Sequence, residues 1–153
     1  MDFAAQVVRK HNLGDIHAFV NATGLGAREL VPDERMYPTC GQTIVVRGEA
    51  DKVSTFEGID SIRYVIPRKG SGTSVLGGTK QAGNWDTEVN HETTRQILEG
   101  CKPLAPELLK DGEFEVLKVQ VGLRPSREGG ARVESEIVGE KLVVHTYGHA
   151  GAG

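Results

Sequence analysis

The stretch FEVLKVQVGLRPSR, residues 114–127, has the alternation of a β-strand and ends by presenting an arginine. Apolar side chains occupy every second position from 117 to 123. The positions between and after them are polar or small: Lys118, Gln120, Gly122 and Arg124. Because successive strand residues point to opposite faces, we expect one face to be core and the other to meet solvent. Pro125 biases Arg124 toward an extended backbone and is expected to end ladder pairing there.

Arg124 is the first candidate for a ligand-binding residue. A guanidinium on a constrained backbone can hold a carboxylate through two parallel hydrogen bonds, which fixes the orientation of a small substrate as well as its position. The alternative is an edge-strand arginine that pairs with a nearby glutamate, and the spacing by itself favours this alternative because most arginines are solvated or paired.

Composition describes an ordinary protein of about one domain. The chain has 153 residues, of which 38% are hydrophobic and 25% charged, with a formal net charge of -3. This charge argues against binding along nucleic-acid phosphates or on an acidic membrane surface. No apolar run approaches a membrane span, and the first residues do not resemble a signal peptide. Cys40 and Cys101 are too few for a disulfide framework, which predicts reduced thiols in an intracellular compartment.

The pattern of the whole chain predicts an α+β fold with a mixed or antiparallel sheet. Further strands are predicted at residues 16–20, 41–47, 62–67, 73–76, 132–137 and 142–145. Residues 28–39 read as a loop marked by Pro32 and Pro38, and residues 69–72 as a hairpin turn. Asn90 is expected to cap a helix from residue 91 to about 100, and residues 4–11 have weaker helical periodicity.

Several single residues allow two interpretations. Tyr64 shares a strand face with two isoleucines, so it is either a core aromatic residue with a satisfied hydroxyl or a pocket residue that offers the hydroxyl to a ligand; the local pattern favours the core. Trp85 is expected to be a packing anchor. His145 and His149 pass from a strand into a glycine loop, so no metal site is expected from them. No nucleophile with a supporting base is recognised.

Eight sequence blocks, taken in order, resemble the C-terminal part of the D-amino-acid oxidases, especially the fungal type. They are VNATGLGA (20–27), GQ (41–42), YVIPR (64–68), LGG (76–78), GNW (83–85), GLRPSR (122–127), RVE (132–134) and VVHTYGHAGAG (143–153). The resemblance implies an FAD-dependent enzyme that oxidises D-amino acids to imino acids and reduces oxygen to hydrogen peroxide. It also changes the preferred interpretation of Arg124 and Tyr64 from structural to functional.

The resemblance assigns a role to particular residues. Arg124 would bind the substrate carboxylate and Tyr64 would assist through its hydroxyl. Thr23 would contact FAD, and a glycine loop would lie along the flavin: Ala150, Gly151, Ala152 and Gly153. Residues 1–36 are then expected to be part of the FAD-binding α/β domain, residues 37–137 the α+β substrate-binding domain, and residues 138–153 the return to the FAD-binding domain.

Three departures from the family pattern affect what the resemblance implies. Lys80 replaces a frequent active-site tyrosine, Cys40 a usual arginine, and Ala150 a usual glycine. The dinucleotide-binding GxGxxG unit is absent from these residues, so the chain by itself is expected to be a fragment without oxidase activity. Alternatives are a non-catalytic truncated remnant that binds a small carboxylate, and a D-aspartate or glycine oxidase.

The resemblance also implies the partners and the compartment. A D-amino acid is the expected partner, nucleic acid and membrane are not expected, and homodimer formation is left open for the full-length enzyme. The family implies a peroxisomal or cytoplasmic location, and no targeting signal is recognised in the chain.

Overall fold

The computed structural model describes residues 6, 9–12, 14–58 and 62–152, and it divides the chain into two compact units. The larger unit is residues 38–124, and the smaller unit combines residues 1–37 with residues 125–153. The domain boundaries expected from the resemblance, after residues 36 and 137, remain predictions. Within the smaller unit, the strand at residues 141–147 pairs with the strands at residues 18–21 and 132–138.

Strands dominate the described residues, in agreement with the predicted α+β class. The strands are β1 (Ala18–Asn21), β2 (Met36–Arg47), β3 (Ser54–Glu57), β4 (Ile62–Arg68), β5 (Thr73–Gly77), β6 (Gln81–Ala82), β7 (Leu109–Lys110), β8 (Glu113–Phe114), β9 (Val116–Arg127), β10 (Arg132–Val138) and β11 (Lys141–Tyr147). The helices are α1 (Ala27–Leu30) and α2 (His91–Cys101), with 3-10 turns at Gly24–Gly26, Lys102–Leu104, Pro106–Leu108 and Ala150–Ala152.

The larger unit is built on one sheet with the strand order β3-β4-β5-β2-β6, in which β9 also pairs with β2. Register aligns Val65, Leu76 and Ile44 across three neighbouring strands, so their side chains share a face. Buried Ile97 and Cys101 of α2 belong to the same hydrophobic cluster. Asn90 caps α2 as predicted, by accepting a hydrogen bond from the Thr93 backbone N–H at 2.9 Å. The hydrophobic cluster therefore occupies one face of the sheet, and the opposite face lies outside this cluster.

The smaller unit contains a three-stranded sheet in the order β1-β11-β10. β1 is parallel to β11, and β10 is antiparallel to it. Register groups one set of side chains on a single face, which we call the apolar face: Ala18, Val20, Val133, Ser135, Ile137, Leu142, Val144 and Thr146. Val20, Val133 and Ile137 on this face are each about two-thirds exposed, at 66%, 68% and 67%. The buried cluster of this unit is small and consists of Ala27, Met36 and Tyr147.

Pro38 and Pro125 lie inside strands, contrary to prediction. Pro38 belongs to β2 rather than to a loop, because its carbonyl still accepts a hydrogen bond from the Gly83 backbone N–H at 2.8 Å. Pro125 does not end β9, which continues to Arg127, and Ser126 forms an antiparallel bridge to His149. A proline removes one donor and fixes one dihedral, so a strand with few ladder bonds at that position tolerates it.

Other predictions also need correction. Trp85 is 53% exposed and is not a packing anchor, and Leu117 on the predicted core side of β9 is 43% exposed, whereas Val119 packs against the core of the larger unit. Strand 16–20 is observed as β1, two residues later. The predicted helix 4–11 lies partly outside the described residues, among which residues 6, 9 and 10 are helical. None of the described helices is long and apolar enough to cross a bilayer.

Candidate functional site

Tyr64 and Arg124 lie on the same face of the sheet in the larger unit. Register places Tyr64 opposite Gly77, and Gly77 opposite Thr43 on β2. Gly41 precedes Thr43 by two residues, so it shares that face. The Arg124 guanidinium lies directly over Gly41, since a Cβ built at Gly41 would come within 2.0 Å of Arg124 Nη1. The sheet therefore places both residues that the resemblance selected on one face, although Tyr64 is not among the residues that line the cavity beside Arg124.

Arg124 has no acidic partner among the described residues. It is half-buried, and its Nη1 donates a hydrogen bond to the carbonyl oxygen of Thr79 at 3.3 Å. The alternative interpretation as an arginine paired with a nearby glutamate is therefore not supported in the described part of the chain. The Arg124 guanidinium therefore has N–H donors without a partner in the described residues, and it lies over a glycine, which has no side chain. Such a group is suited to binding an anion.

Tyr64 lies over two glycines. A Cβ at Gly77 would meet the Tyr64 ring at 1.9 Å, and a Cβ at Gly78 would approach the hydroxyl oxygen at 2.9 Å. The side chain is half-buried, and its hydroxyl forms no hydrogen bond within the described residues. A core tyrosine normally satisfies its hydroxyl. The hydroxyl of Tyr64 is thus available to a ligand.

A cavity of about 430 Å³ occupies this face of the larger unit. Gly41 and Thr43 line it from β2, and β9 contributes residues of both faces: Lys118, Gln120, Val121, Gly122, Leu123 and Arg124. This size is in the range of small-molecule sites. Of the four residues predicted to face solvent, Lys118, Gln120 and Gly122 are exposed and Arg124 is half-buried.

Gln42 supports the site and was not singled out for this role from the sequence. Its backbone N–H donates to Thr79 Oγ1 at 2.8 Å, and Thr79 carries the carbonyl that contacts Arg124. The Gln42 side-chain amide donates to the Asn90 carbonyl at 2.9 Å and accepts from the Asn90 N–H at 2.9 Å. Gln42 thereby ties β2 to the start of α2. Only its place next to Gly41 in a block of resemblance could have pointed to it.

The two cysteines are buried free thiols. Burial, followed by the charge of Asp86, raises the pKa of the Cys40 thiol, and burial raises the pKa of Cys101 to about 11. A nucleophilic cysteine needs a thiolate. Neither residue is therefore suited to nucleophilic catalysis near neutral pH, in line with the sequence analysis.

The residues assigned to FAD lie in the smaller unit. Thr23 follows β1 and is exposed, while Ala150, Gly151 and Ala152 form a 3-10 turn after β11. Because β1 and β11 are parallel, with Asn21 opposite His145, both segments leave the carboxyl-terminal edge of the sheet. Ligands of α/β sheets bind at this edge. Gly153 lies outside the described residues.

Ala150 has a positive φ of 54°, a conformation that favours glycine. The position where the family resemblance expects glycine therefore keeps the glycine-like backbone although this chain has alanine. Gly24, after Thr23, also has a positive φ, of 57°. Both turns fit a segment whose backbone approaches a bound cofactor closely, so the residues present are compatible with the flavin part of FAD.

Arg127 has a different environment from Arg124, although it is only three residues away on β9. Its Nε donates to Asp33 Oδ2 at 2.8 Å, and both side chains are buried, at 7% and 6% exposure. Tyr147 donates its hydroxyl to the same oxygen at 2.9 Å. Burial by itself would raise the pKa of Asp33, but the hydrogen bonds from Arg127 and Tyr147 outweigh it and lower the pKa to about 2. This cluster is structural.

Residues 2–153 match the model of a family described as FAD dependent oxidoreductase. The chain belongs to this FAD-dependent oxidoreductase family. A D-amino-acid oxidase of Dictyostelium discoideum is 43% identical over 141 residues, which are 91% of this chain and 39% of the relative. A D-amino-acid oxidase of Schizosaccharomyces pombe is 42% identical over 87% of this chain and 40% of the relative.

Other members of the family differ in substrate. A D-aspartate oxidase of Talaromyces thermophilus is 38% identical over 88% of this chain and 36% of its own length. The crystal structure of glycine oxidase from Geobacillus kaustophilus matches with a TM-score of 0.67 at 26% identity, covering 89% of this chain and 37% of the enzyme. The chain thus spans about two fifths of the length of the curated relatives that it matches.

Proposed function

We propose that this chain carries the substrate-carboxylate site and part of the flavin site of an enzyme that oxidises D-amino acids to imino acids and reduces oxygen to hydrogen peroxide. The observation that carries the proposal is Arg124, half-buried in a cavity and without an acidic partner in the described residues. The unpaired hydroxyl of Tyr64 on the same sheet face supports it. The named relatives make a D-amino acid the favoured substrate.

The role of these residues is to position the substrate. The Arg124 guanidinium would take the substrate carboxylate in a forked pair of hydrogen bonds, and the Tyr64 hydroxyl would donate a further one to a carboxylate oxygen. Anchoring the carboxylate limits the rotation of the substrate and presents its Cα–H bond in one direction. FAD, when bound, supplies the hydride acceptor and passes the electrons to oxygen.

A fusion protein tests the Arg124 assignment. Residues 1–153 would be joined to the parts of the Schizosaccharomyces pombe relative that they do not cover, and peroxide formation on D-alanine would be measured. Arg124→Ala should lower kcat/KM by roughly 30-fold to several thousand-fold, because losing one partner of a buried charged pair costs about 2–5 kcal/mol. Flavin absorbance should be retained.

Arg95→Ala is the matched control, since Arg95 forms an exposed pair with Glu92 on α2. It should leave kcat/KM unchanged. Equal kinetics of the Arg124→Ala and unaltered fusions would contradict the carboxylate assignment. A fusion that binds flavin but has no turnover with any D-amino acid would favour a non-catalytic remnant that binds a small carboxylate.

We propose that the 153-residue chain by itself has no oxidase activity and binds FAD weakly. Its candidate flavin contacts come from two short turns, whereas tight dinucleotide binding uses a helix N-terminus at the pyrophosphate. Among the described helices of the smaller unit, α1 has only four residues. FAD fluorescence and peroxide formation on D-alanine, followed together during a titration, test this; saturable tight binding with turnover would contradict it.

Acidic D-amino acids are a second candidate substrate class, and Lys80 favours them. Lys80 is exposed, follows the residue whose carbonyl contacts Arg124, and has no ion-pair partner in the described part of the chain. A cation near the carboxylate site would attract a second carboxylate. In the fusion, Lys80→Gln should lower the ratio of D-aspartate to D-alanine kcat/KM, whereas Lys118→Gln, farther along the cavity, should not. An unchanged ratio in both would exclude this role.

For the compartment we propose the peroxisome or the cytoplasm, which the family resemblance implies. Fractionation of cells that express the intact protein tests this. Recovery in a secreted fraction would contradict it. Homodimer formation of the intact enzyme is tested by its mass in solution.

A further inference from the structure

A buried hydrogen-bond chain leads to Thr23 in the smaller unit. The Asn21 side-chain oxygen accepts from the Thr23 backbone N–H at 3.3 Å and from the Thr23 hydroxyl at 2.7 Å. The Asn21 side-chain nitrogen lies 3.2 Å from His145 Nδ1, and His145 Nε2 lies 2.8 Å from Glu136 Oε1. His145 is fully buried and Asn21 nearly so, whereas Thr23 and Glu136 are exposed.

In this series of hydrogen bonds from Thr23 to Glu136, the direction of every bond follows from the bond that the Thr23 backbone N–H donates. A backbone N–H can only donate, so the Asn21 atom that faces Thr23 must be the oxygen. The atom that faces His145 is then the NH₂ group, which donates, and His145 Nδ1 must be an acceptor. The imidazole proton therefore lies on Nε2 and is donated to the Glu136 carboxylate.

The contacts with Asn21 also determine which hydrogen bonds Thr23 can form with a ligand. Its hydroxyl proton and its backbone N–H are both directed to Asn21. The hydroxyl oxygen keeps free lone pairs but has no further proton to give. Thr23 can accept a hydrogen bond from a ligand hydroxyl or N–H group, and it cannot donate one to a phosphate oxygen.

We propose that Glu136, His145 and Asn21 are positioning residues that hold Thr23 as a hydrogen-bond acceptor for the hydroxyl or N–H groups of the flavin moiety, away from the pyrophosphate. This inference rests on the proposed function, which assigns Thr23 to FAD. The series of hydrogen bonds from Thr23 to Glu136, which we call the relay, is independent of that assignment, because its proton positions follow from contacts within the chain.

NMR of the isotope-labelled 153-residue chain tests the relay without any ligand. The nitrogen shifts of His145 should report a proton on Nε2 and a lone pair on Nδ1. Asn21→Asp replaces the NH₂ donor by an oxygen, so His145 Nδ1 should become protonated. Glu136→Gln keeps an acceptor for Nε2–H and should preserve the tautomer, and the exchange of the Nε2–H proton should accelerate in Glu136→Leu. A proton on Nδ1 in the unaltered chain would overturn the relay.

Riboflavin and inorganic pyrophosphate test the ligand side of the proposal. Riboflavin should shift the Thr23 resonances, and Thr23→Val should weaken its binding by roughly 2- to 10-fold, the range for one neutral hydrogen bond. Thr23→Ser, which keeps the acceptor, should retain riboflavin affinity, and pyrophosphate should leave the Thr23 resonances unmoved.

The possible failures are distinguishable. A pyrophosphate response at Thr23, or equal riboflavin affinity of Thr23→Val and the unaltered chain, would overturn the acceptor role. No riboflavin response at Thr23, together with the Nε2–H tautomer, would overturn the cofactor assignment of this sheet edge and leave the relay in place.

Discussion

The two units differ in how completely each one covers its own apolar side chains. In the larger unit, α2 and the loops beside it bury one sheet face, with a nine-residue cluster that includes Ile44, Leu76 and Ile97. In the smaller unit, the buried cluster is three residues, and the apolar face of the three-stranded sheet is largely exposed. Monomeric proteins rarely expose such contiguous apolar surface, so we expect the smaller unit to be less stable by itself than the larger unit.

The two arginines near the end of β9 also differ between the units in the partners that they have. Arg124, in the larger unit, is held over glycine with donors unused, whereas Arg127, in the smaller unit, is committed to Asp33. The larger unit has an extensive hydrophobic core, so it can leave donors of Arg124 free for a ligand. The smaller unit has a small core, and there the buried ion pair of Arg127 and Asp33 with its hydrogen bonds stabilises the structure.

The largest expected effect is on Arg127. Arg127→Ala should lower the free energy of unfolding of the smaller unit by about 3–5 kcal/mol, because the buried Asp33 charge loses its partner. Urea denaturation measures this. Arg95→Ala, which breaks an exposed pair, should cost at most about 1 kcal/mol. Equal costs for both variants would contradict the structural role of Arg127.

The pH dependence of stability sharpens the same contrast. The folded-state pKa of Asp33, about 2, lies below its ordinary value of 3.8, so its contribution is fully present above pH 3.8 and is lost as the pH falls toward 2. In Arg127→Ala this acid-induced loss should be reduced, since the main hydrogen bond that lowers the pKa is gone. Urea midpoints between pH 5 and pH 2 provide the comparison, in about half-unit steps.

In the larger unit, Gly41→Ala should displace the Arg124 guanidinium without removing its charge. A Cβ at Gly41 collides with Nη1, whereas a Cβ at Gly122, which lines the same cavity, meets no atom within 4 Å. Gly41→Ala should weaken carboxylate binding by roughly 10- to 100-fold, because a hydrogen bond to a charged group contributes about 1.5–3 kcal/mol. Calorimetry with D-alanine measures this, and similar affinities of the two variants would exclude the arrangement.

Tyr64→Phe should have a smaller effect. The hydroxyl has no partner in the described residues, so its removal should leave the free energy of unfolding unchanged and weaken D-alanine binding by roughly 2- to 10-fold. The same calorimetry and urea denaturation check both parts. A loss of stability with unchanged binding would return Tyr64 to the core interpretation.

The smallest effect is expected in the turn after β11. Ala150→Gly should raise the stability of the smaller unit by less than about 1 kcal/mol, since relief of the left-handed backbone is partly offset by the entropy of glycine. Ala152→Gly, at a position without positive φ, should lower stability by about 0.5–1 kcal/mol. Thermal unfolding of the two variants compares them, and a lower melting temperature for Ala150→Gly would contradict the assigned strain.

Local pattern was sufficient for most of the longer strands and for the capped helix α2, because alternation and helix capping act between near neighbours. It could not determine what Tyr64 and Arg124 contact. Tyr64 lies over Gly77 only through the β4–β5 register, and Arg124 meets Thr79, 45 residues away. The local pattern therefore favoured core for one and a paired arginine for the other, and only the resemblance of eight blocks suggested otherwise.

Long-range contacts also explain what the sequence missed in the smaller unit. Asn21 and His145 are 124 residues apart, and Asp33 and Arg127 are 94 apart, so neither pairing has a local signal. Local pattern places Pro38 in a loop and ends a strand at Pro125, because a proline cannot donate. β2 nevertheless contains Pro38, whose carbonyl accepts a hydrogen bond, and β9 continues past Pro125, where Ser126 forms a bridge to His149.

The most direct test of the account is a titration of the isotope-labelled chain with D-alanine in the absence of FAD, followed through its arginine Nε–H resonances. We expect a saturable shift of the Arg124 resonance, accompanied by shifts of the Gly41 and Gly77 amide resonances. D-alaninamide, which lacks the carboxylate, should cause no such shift. A response centred on Arg127, or an equal response to D-alaninamide, would contradict the claim that the larger unit holds the substrate carboxylate at Arg124.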